Sequence, residues 1–268
     1  MDWSAVQQAL GAPLETEEGV HHVDIPRTDL HVMVGDVPLQ PGMELAADLN
    51  FLPSGADNAV LVGEMTVLDA EQQPVIDALQ RGGLLIAAVH KHIPAQSPDI
   101  WWVHFVGYGQ AQSEAAAVHS ALAATTTPLP PSSSEQQPPP GLDVAALDAA
   151  LGSHGKSQDG AYKASLPVPE QISDTRAHVV LPPPMEAQSM VMFQPLPANQ
   201  AVANGDLAMT ADQVNPVSSV LLQNNIHVVS LHNHMLYEQP RLFYLHYWAT
   251  GDALTMARGL RLALNRMQ

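Results

Sequence analysis

The alternation of apolar and polar positions divides the chain into two stretches that echo one another. Trp3–Leu10 and Val144–Leu151 carry apolar residues at helical spacing and predict short amphipathic helices. β-branched alternation then predicts strands in GVHHVDIPR and LHVMVGDV of the first stretch, and in AYKASLPV and AHVVLP of the second. NAVLVGEMTVL and QAVANGDLAMT predict one further strand each. AEQQPVIDALQRGG and ADQVNPVSSVLLQNN return to the helical period, with Asp69 and Thr210 as N-caps. Pro74 and Pro216 fall near the first turn of these helices, where a missing N–H does least harm. Two strands follow in each stretch: LLIAAVHKH and IWWVHFVGY, then IHVVSLHNH and RLFYLHYWA. Helices over Gln110–Ala123 and Asp252–Asn265 close the units. The order β-α-β-β-α per unit predicts an α+β fold. Its sheets are mostly antiparallel, with helices on one face and the histidines on the other.

The two stretches keep a gap-free register of 142 residues from about residue 43 to residue 122. Met43 matches Met185, Phe51 matches Phe193, Pro53 matches Pro195, Gly63 matches Gly205 and Gly109 matches Gly251. Identities at Pro, Gly and His over that length read as a tandem duplication. Between the copies, TTTPLPPSSSEQQPPPG has almost nothing to bury and predicts an extended linker. The expected organisation is repeat one over 1–124, a linker over 125–141 and repeat two over 142–268.

Each copy holds an H-x-H pair and a third histidine twelve residues on: His90, His92 and His104, then His232, His234 and His246. Residues i and i+2 of a strand project from one face, so each pair points together. If the two histidine strands form a hairpin with an odd-numbered loop, His234 faces Leu242 and His246 lies diagonal to His232. Diagonal neighbours are ~7–8 Å apart at Cα, within reach of one ion. Three imidazoles suit a divalent transition metal (zinc, iron, copper or nickel) and leave positions open for a substrate.

Further candidates surround the histidines. Glu238 completes H-x-H-x₃-E and is a possible fourth ligand or base, or a polar turn residue; Gln96 stands at its place in the first copy. Glu64 and Asp206 are equivalent acids, each after a glycine that marks a bulge or a close backbone approach. They are candidates to bind metal, orient a ligand imidazole or act as a base, with a solvated acid as the alternative. Trp102, Tyr244 and Trp248 alternate onto the histidine face as candidate pocket walls, although core packing is the default for such rings. Arg241 is a candidate to hold a carboxylate or phosphate, or simply to pair with Glu238.

Composition narrows the classes. Among 268 residues, 27 acids face 10 Lys plus Arg, a net charge of −17. That argues against sequence-independent nucleic-acid binding and against anionic membrane surfaces. A neutral or cationic small molecule is the expected partner, and each repeat is expected to cover the open sheet face of the other. No cysteine is present, which excludes disulfides, thiolate catalysis and Cys-ligated zinc or iron–sulfur clusters. MDWSAVQQALG has neither a basic segment nor a long apolar one, so a soluble, cytoplasmic protein is expected. No phosphate-loop or nucleophile-elbow motif occurs.

The segment from Gly205, with HNH, then PR, then a lone histidine and GDA, resembles the LppY/LpqO family of bacterial proteins, a domain of unknown function with many two-repeat members. The first copy departs from it: HKH replaces HNH, and Pro98-Asp99 replaces Pro-Arg. Gln213 stands where the family usually has an acid, which Glu71 keeps in the first copy. The resemblance supports the fold and the histidines more than any reaction. An Ala- and Pro-rich, Lys-poor composition also looks like that of a high-GC actinobacterium, where a soluble member would tailor a natural product. The expectation is therefore a metal-dependent enzyme acting on a small molecule, by oxidative, hydrolytic or lyase chemistry. A non-catalytic metal- or ligand-binding protein is the alternative.

Overall fold

The computed structural model describes residues 1–131, 137–139 and 141–267. Repeat one runs α1 (Trp3–Leu10), β1 (Glu15–Glu17), β2 (Val20–Pro26), β3 (Met33–Val34), β4 (Val37–Pro38), β5 (Ala46–Gly55), β6 (Asn58–Leu68), α2 (Asp69–Arg81), β7 (Leu85–His90), β8 (Gln96–Ser97), β9 (Ile100–Gln110) and α3 (Ala111–Leu122). Repeat two runs α4 (Val144–Leu151), β10 (Lys156–Gln158), β11 (Ala161–Pro167), β12 (Ile172–Asp174), β13 (Val179–Leu181), β14 (Gln188–Leu196), β15 (Gln200–Met209), α5 (Ala211–Gln223), β16 (His227–His232), β17 (Glu238–Gln239), β18 (Phe243–Asp252) and α6 (Ala253–Leu264).

Each repeat builds a six-stranded antiparallel sheet, in the orders β1-β2-β5-β6-β9-β7 and β10-β11-β14-β15-β18-β16. β6 and β7 run parallel with β9 between them, so α2 is the crossover of a split β-α-β unit. Period-two alternation decides which side each residue buries. Leu61, Met65 and Val67 of β6 turn toward Val75 and Leu79 of α2 and Val118 and Leu122 of α3. Val60 and Val62 turn the other way and meet Ile172, Met185 and Tyr244 of repeat two. Beside them, Met43, Leu45 and Trp102 pack on Met192, Val202 and Trp248. The result is four layers, helices–sheet–sheet–helices, with the two sheets face to face. Each large apolar side chain buried in these layers contributes roughly 1.5–3 kcal/mol.

Besides the short β1, β8, β10, β12 and β17, two long strands were not predicted, β5 and its counterpart β14. Both contain a proline, Pro53 and Pro195, which argues against a central strand. The register resolves the conflict: β2 stops pairing at Phe51 and β11 at Phe193. Each proline therefore sits where its strand has only one neighbour, and no ladder bond needs the missing N–H. LHVMVGDV was expected as one strand, but only β3 and β4 form from it, two residues each, pairing with β8 in a small separate sheet. Asp69 is the first residue of α2 rather than its cap. The Glu71 carboxylate accepts the Leu68 amide at 2.9 Å, and the Gln213 side chain does the same for Thr210 at 2.8 Å.

The buried Arg27 guanidinium donates to Asp29, Glu71 and the Thr126 hydroxyl, which ties residues just after α3 onto repeat one. Within the expected linker, residues 132–136 and 140 lie outside the described residues. Among the described residues, no helix is long and apolar enough to cross a membrane.

Candidate metal centre at the repeat interface

β7 and β9 pair with His90 opposite Trp102 and Ala88 opposite His104. β16 and β18 pair with His232 opposite Tyr244 and Ser230 opposite His246. His104 is thus diagonal to His90, and His246 to His232, on one face of each sheet. His92 and His234 follow the last residues of β7 and β16. Because these faces meet, the six imidazoles form one cluster rather than two. His90 stacks on His232 with ring centroids 3.3 Å apart, His92 on His246 at 3.8 Å, and His104 on His234 at 4.1 Å.

Four carboxylates enclose the rings. Glu64 lies opposite His104 on β6, with Oε2 at 3.3 Å from His104 Nε2 and 3.6 Å from His92 Nε2. Its counterpart Asp206 lies opposite His246, with Oδ2 at 3.7 Å from His234 Nε2. The other two come from a position outside the sequence-based candidates. Glu44 Oε2 is 3.0 Å from His92 Nδ1, and Glu186 Oε2 is 2.9 Å from His234 Nδ1. Both glutamates hold a left-handed backbone, with φ of 63° and 65°, which is uncommon for a residue with a Cβ. Their carbonyls are pinned from below: Trp102 Nε1 donates to Glu44 O at 2.8 Å and Tyr244 Oη to Glu186 O at 2.5 Å. The same two rings stack under His92 and His234, with centroids 4.3 and 3.6 Å away. The signal for these glutamates was present in the register, since Met43-Glu44 recurs as Met185-Glu186.

The electrostatics follow from burial. Burial and the neighbouring imidazoles hold His92, His104, His232 and His246 well below the usual histidine range, and burial takes His90 down to about 3. The rings are therefore neutral and able to donate lone pairs. Burial pushes Glu44 up to about 8, and burial with the surrounding carboxylates raises Glu64 and Asp206 well above their ordinary value. Nitrogens of His90, His232, His234 and His246 are buried without a hydrogen-bond partner. Leaving such atoms unpaired costs about 1–3 kcal/mol each, a cost that a coordinated ion removes. Ligand atoms lie within 4.8 Å of one another in His90–His92–His104 and in Asp206–His234–His246, and also across the repeats in His90–His232–His246, His104–His232–His234 and Glu44–His92–His246. The buried donor set and its orphaned nitrogens fit a divalent transition metal.

A cavity of about 160 Å³ opens onto this cluster, lined by Glu44, Glu64, Asp206, His92, His234 and His246, with Asp24, Asp48 and Lys163 also in its wall. Trp102 and Tyr244 brace the histidines from behind, and Trp248 lies in the core between the sheets. The structure does not bring Glu238 to the rings. Its fully buried carboxylate sits on β17, 3.1 Å from Arg241 Nη1, and accepts the Leu242 amide at 3.3 Å. Arg241 also donates to the carbonyls of Met235 and Leu236. The backbone approach expected at the paired glycines occurs at Gly205, where a Cβ would meet Met190 O at 2.1 Å; at Gly63 the close neighbour is instead a side chain, the Phe105 ring at 2.8 Å.

Among known proteins, no curated sequence matches. The crystal structure of EtuB from Clostridium kluyveri aligns over 94% of this chain and 89% of its own, at 10% identity and a TM-score of 0.22, which carries no structural argument. A family model matches twice, at residues 4–124 and 145–266. The chain belongs to the family described as Domain of Unknown Function (DUF1259), carried as two tandem copies.

Proposed function

We propose that this protein is a metal-dependent enzyme acting on a small molecule in the cavity between its repeats. One observation carries the reading: six imidazoles converge where the sheets meet, with buried nitrogens that have no hydrogen-bond partner. His90, His92, His104, His232, His234 and His246 hold the metal, and the metal supplies Lewis-acid or redox chemistry. Glu64 Oε2 and Asp206 Oδ2, beside the ring nitrogens, add ligand atoms or hold a proton during turnover. The aromatic floor of Trp102 and Tyr244 keeps the rings in place and, with the surrounding core, keeps bulk water away. Glu238 and Arg241 brace the loop between β16 and β18 rather than the reacting centre. A cavity of about 160 Å³ suits a compact substrate, since a void of roughly 150 Å³ accommodates a benzene-sized molecule. The HNH…PR…H pattern supports placing the chain with the LppY/LpqO proteins, and the Ala- and Pro-rich, Lys-poor composition supports tailoring of a natural product as its role.

The close stacking of His90 on His232 favours a second reading, a metal-sequestering protein whose rings close over the ion. The discriminating experiment is metal analysis of untagged protein, followed by turnover assays on protein reconstituted with zinc, iron, copper or nickel. Bound metal with turnover of a small-molecule library supports the enzyme. Bound metal that no chelator of modest affinity can reach, with no turnover, supports sequestration. Absence of any metal affinity sinks both.

A further inference from the structure

We infer that the interface holds two divalent cations in one binuclear centre, one seated on each repeat's ligand set. The inference rests on the metal-dependent reading above and adds its nuclearity and its geometry.

The donors divide evenly. His90, His92 and His104 converge, with Glu64 Oε2 at 3.6 and 3.3 Å from the ring nitrogens of His92 and His104. Asp206, His234 and His246 converge separately, with His232 stacked on the same face at 5.0 Å from His246. The two sets share no residue and correspond position by position under the 142-residue register. Glu44 and Glu186 sit on the Nδ1 of His92 and His234, and Glu44 Oε2 also lies 3.7 Å from His246 Nδ1, between the two sets. A carboxylate there fixes the tautomer, so that Nε2 faces the ion.

One cation would not satisfy this site. It takes four to six donors, and six imidazoles with two flanking carboxylates offer eight. The excess would stay buried and unpaired, at about 1–3 kcal/mol for each polar group. Charge gives the same count: Glu44, Glu64, Glu186 and Asp206 carry four negative charges when ionised, which two divalent cations neutralise. Lys163, the single lysine or arginine in the cavity wall, shares that wall with Asp24 and Asp48.

The sets are also adjacent. Ligand atoms of His90 group with those of His232 and His246, and those of His104 with His232 and His234, all within 4.8 Å. Ions on the two sets would therefore be near neighbours, as in two-metal hydrolytic and oxidative sites, where the separation is about 3.5–4 Å. A pair at that distance clamps one substrate atom from both sides.

The test uses the full chain. Metal-depleted protein is titrated with zinc and its saturating content measured by mass spectrometry. Two ions per chain are expected, falling to one in His232→Ala and in His90→Ala. Saturation of the unsubstituted chain at one ion overturns the binuclear centre and leaves the metal-dependent reading intact. No binding at all removes both. Because either variant could fold poorly, copper(II) loading supplies a second readout on the unsubstituted protein. Two bound coppers whose paramagnetic signal integrates to far less than two spins support a coupled pair, and a full two-spin signal overturns it.

Discussion

The Glu44 carboxylate grips His92 Nδ1 at 3.0 Å from a backbone held at φ 63°, and Trp102 pins the carbonyl of the same residue. Glu186 repeats the arrangement on His234, with Tyr244 in place of Trp102. A residue held in the left-handed region costs about 1–3 kcal/mol where no other demand is met. Its recurrence in both copies marks these glutamates as positioning residues for the clustered histidine rings. Glu44→Ala is expected to weaken zinc affinity by about 10–100-fold. Glu44→Gln, which still accepts from Nδ1–H, is expected to recover most of that loss. Competition with a chromophoric chelator measures both. Equal affinity in Glu44→Ala and the unsubstituted protein would show the contact to be merely structural.

The metal-free protein should be most stable in mildly acidic solution. His90 titrates near 3 in the fold against 6.5 when free. The unfolded chain binds more protons between those values, so stability is full above 6.5 and falls as pH drops toward 3. Glu44 behaves oppositely, near 8 in the fold against 4.5 when free. Here the folded chain binds more protons, so stability is full below 4.5 and is lost as pH rises to 8. Each slope is about 1.4 kcal/mol per pH unit at most. The two oppose one another between 4.5 and 6.5, which leaves a plateau there and a decline on both sides. Thermal unfolding with a chelator present checks this, and added zinc should abolish the alkaline decline. A Tm that climbs from pH 6.5 to 8 without metal would contradict the assignment.

Gly205 and Gly63 occupy equivalent positions, but their replacement by alanine should differ. At Gly205, φ is +139° and a Cβ would strike a backbone carbonyl. At Gly63 it would strike the end of a phenylalanine ring, which can shift. Gly205→Ala is expected to cost about 3 kcal/mol or more, and Gly63→Ala about 1–2 kcal/mol. Urea unfolding of both variants decides the order, and a smaller loss at Gly205 refutes the argument.

Arg241 and Glu238 should prove to be structural. Removing the guanidinium leaves a fully buried carboxylate with only the Leu242 amide and its own strand contacts. Arg241→Ala is expected to destabilise the fold by about 3 kcal/mol without changing the number of ions bound. A stable variant with reduced metal content would return both residues to the site.

Much of this was legible in the sequence, for identifiable reasons. The helices α1, α4, α3 and α6 follow from amphipathic spacing, and the diagonal placement of His246 and His232 follows from strand pleat. The duplication made six histidines stand out from thirteen. β5 and β14 lie outside the segments whose alternation predicted strands, and each carries a proline that the sheet admits because the neighbouring strand stops pairing beside it. Glu44 and Glu186 escaped because they lie 48 residues before their histidines, in no motif with them. Sequence spacing reports what one strand does, whereas these contacts are made by the turn entering another. Each half was expected to cover the open sheet face of the other, but whether the histidines would then make one cluster or two was not legible, since alternation names a face and not its register on a partner.

The face-to-face stacking of the sheets has an evolutionary corollary. Either half alone would bare a wide oily surface, with Val60, Val62 and Trp102 in one and Val202, Tyr244 and Trp248 in the other. An unduplicated ancestor would have needed a sibling molecule to cover that surface. Joined in one chain, the halves need not stay identical, and a tryptophan beneath one histidine answers a tyrosine beneath the other.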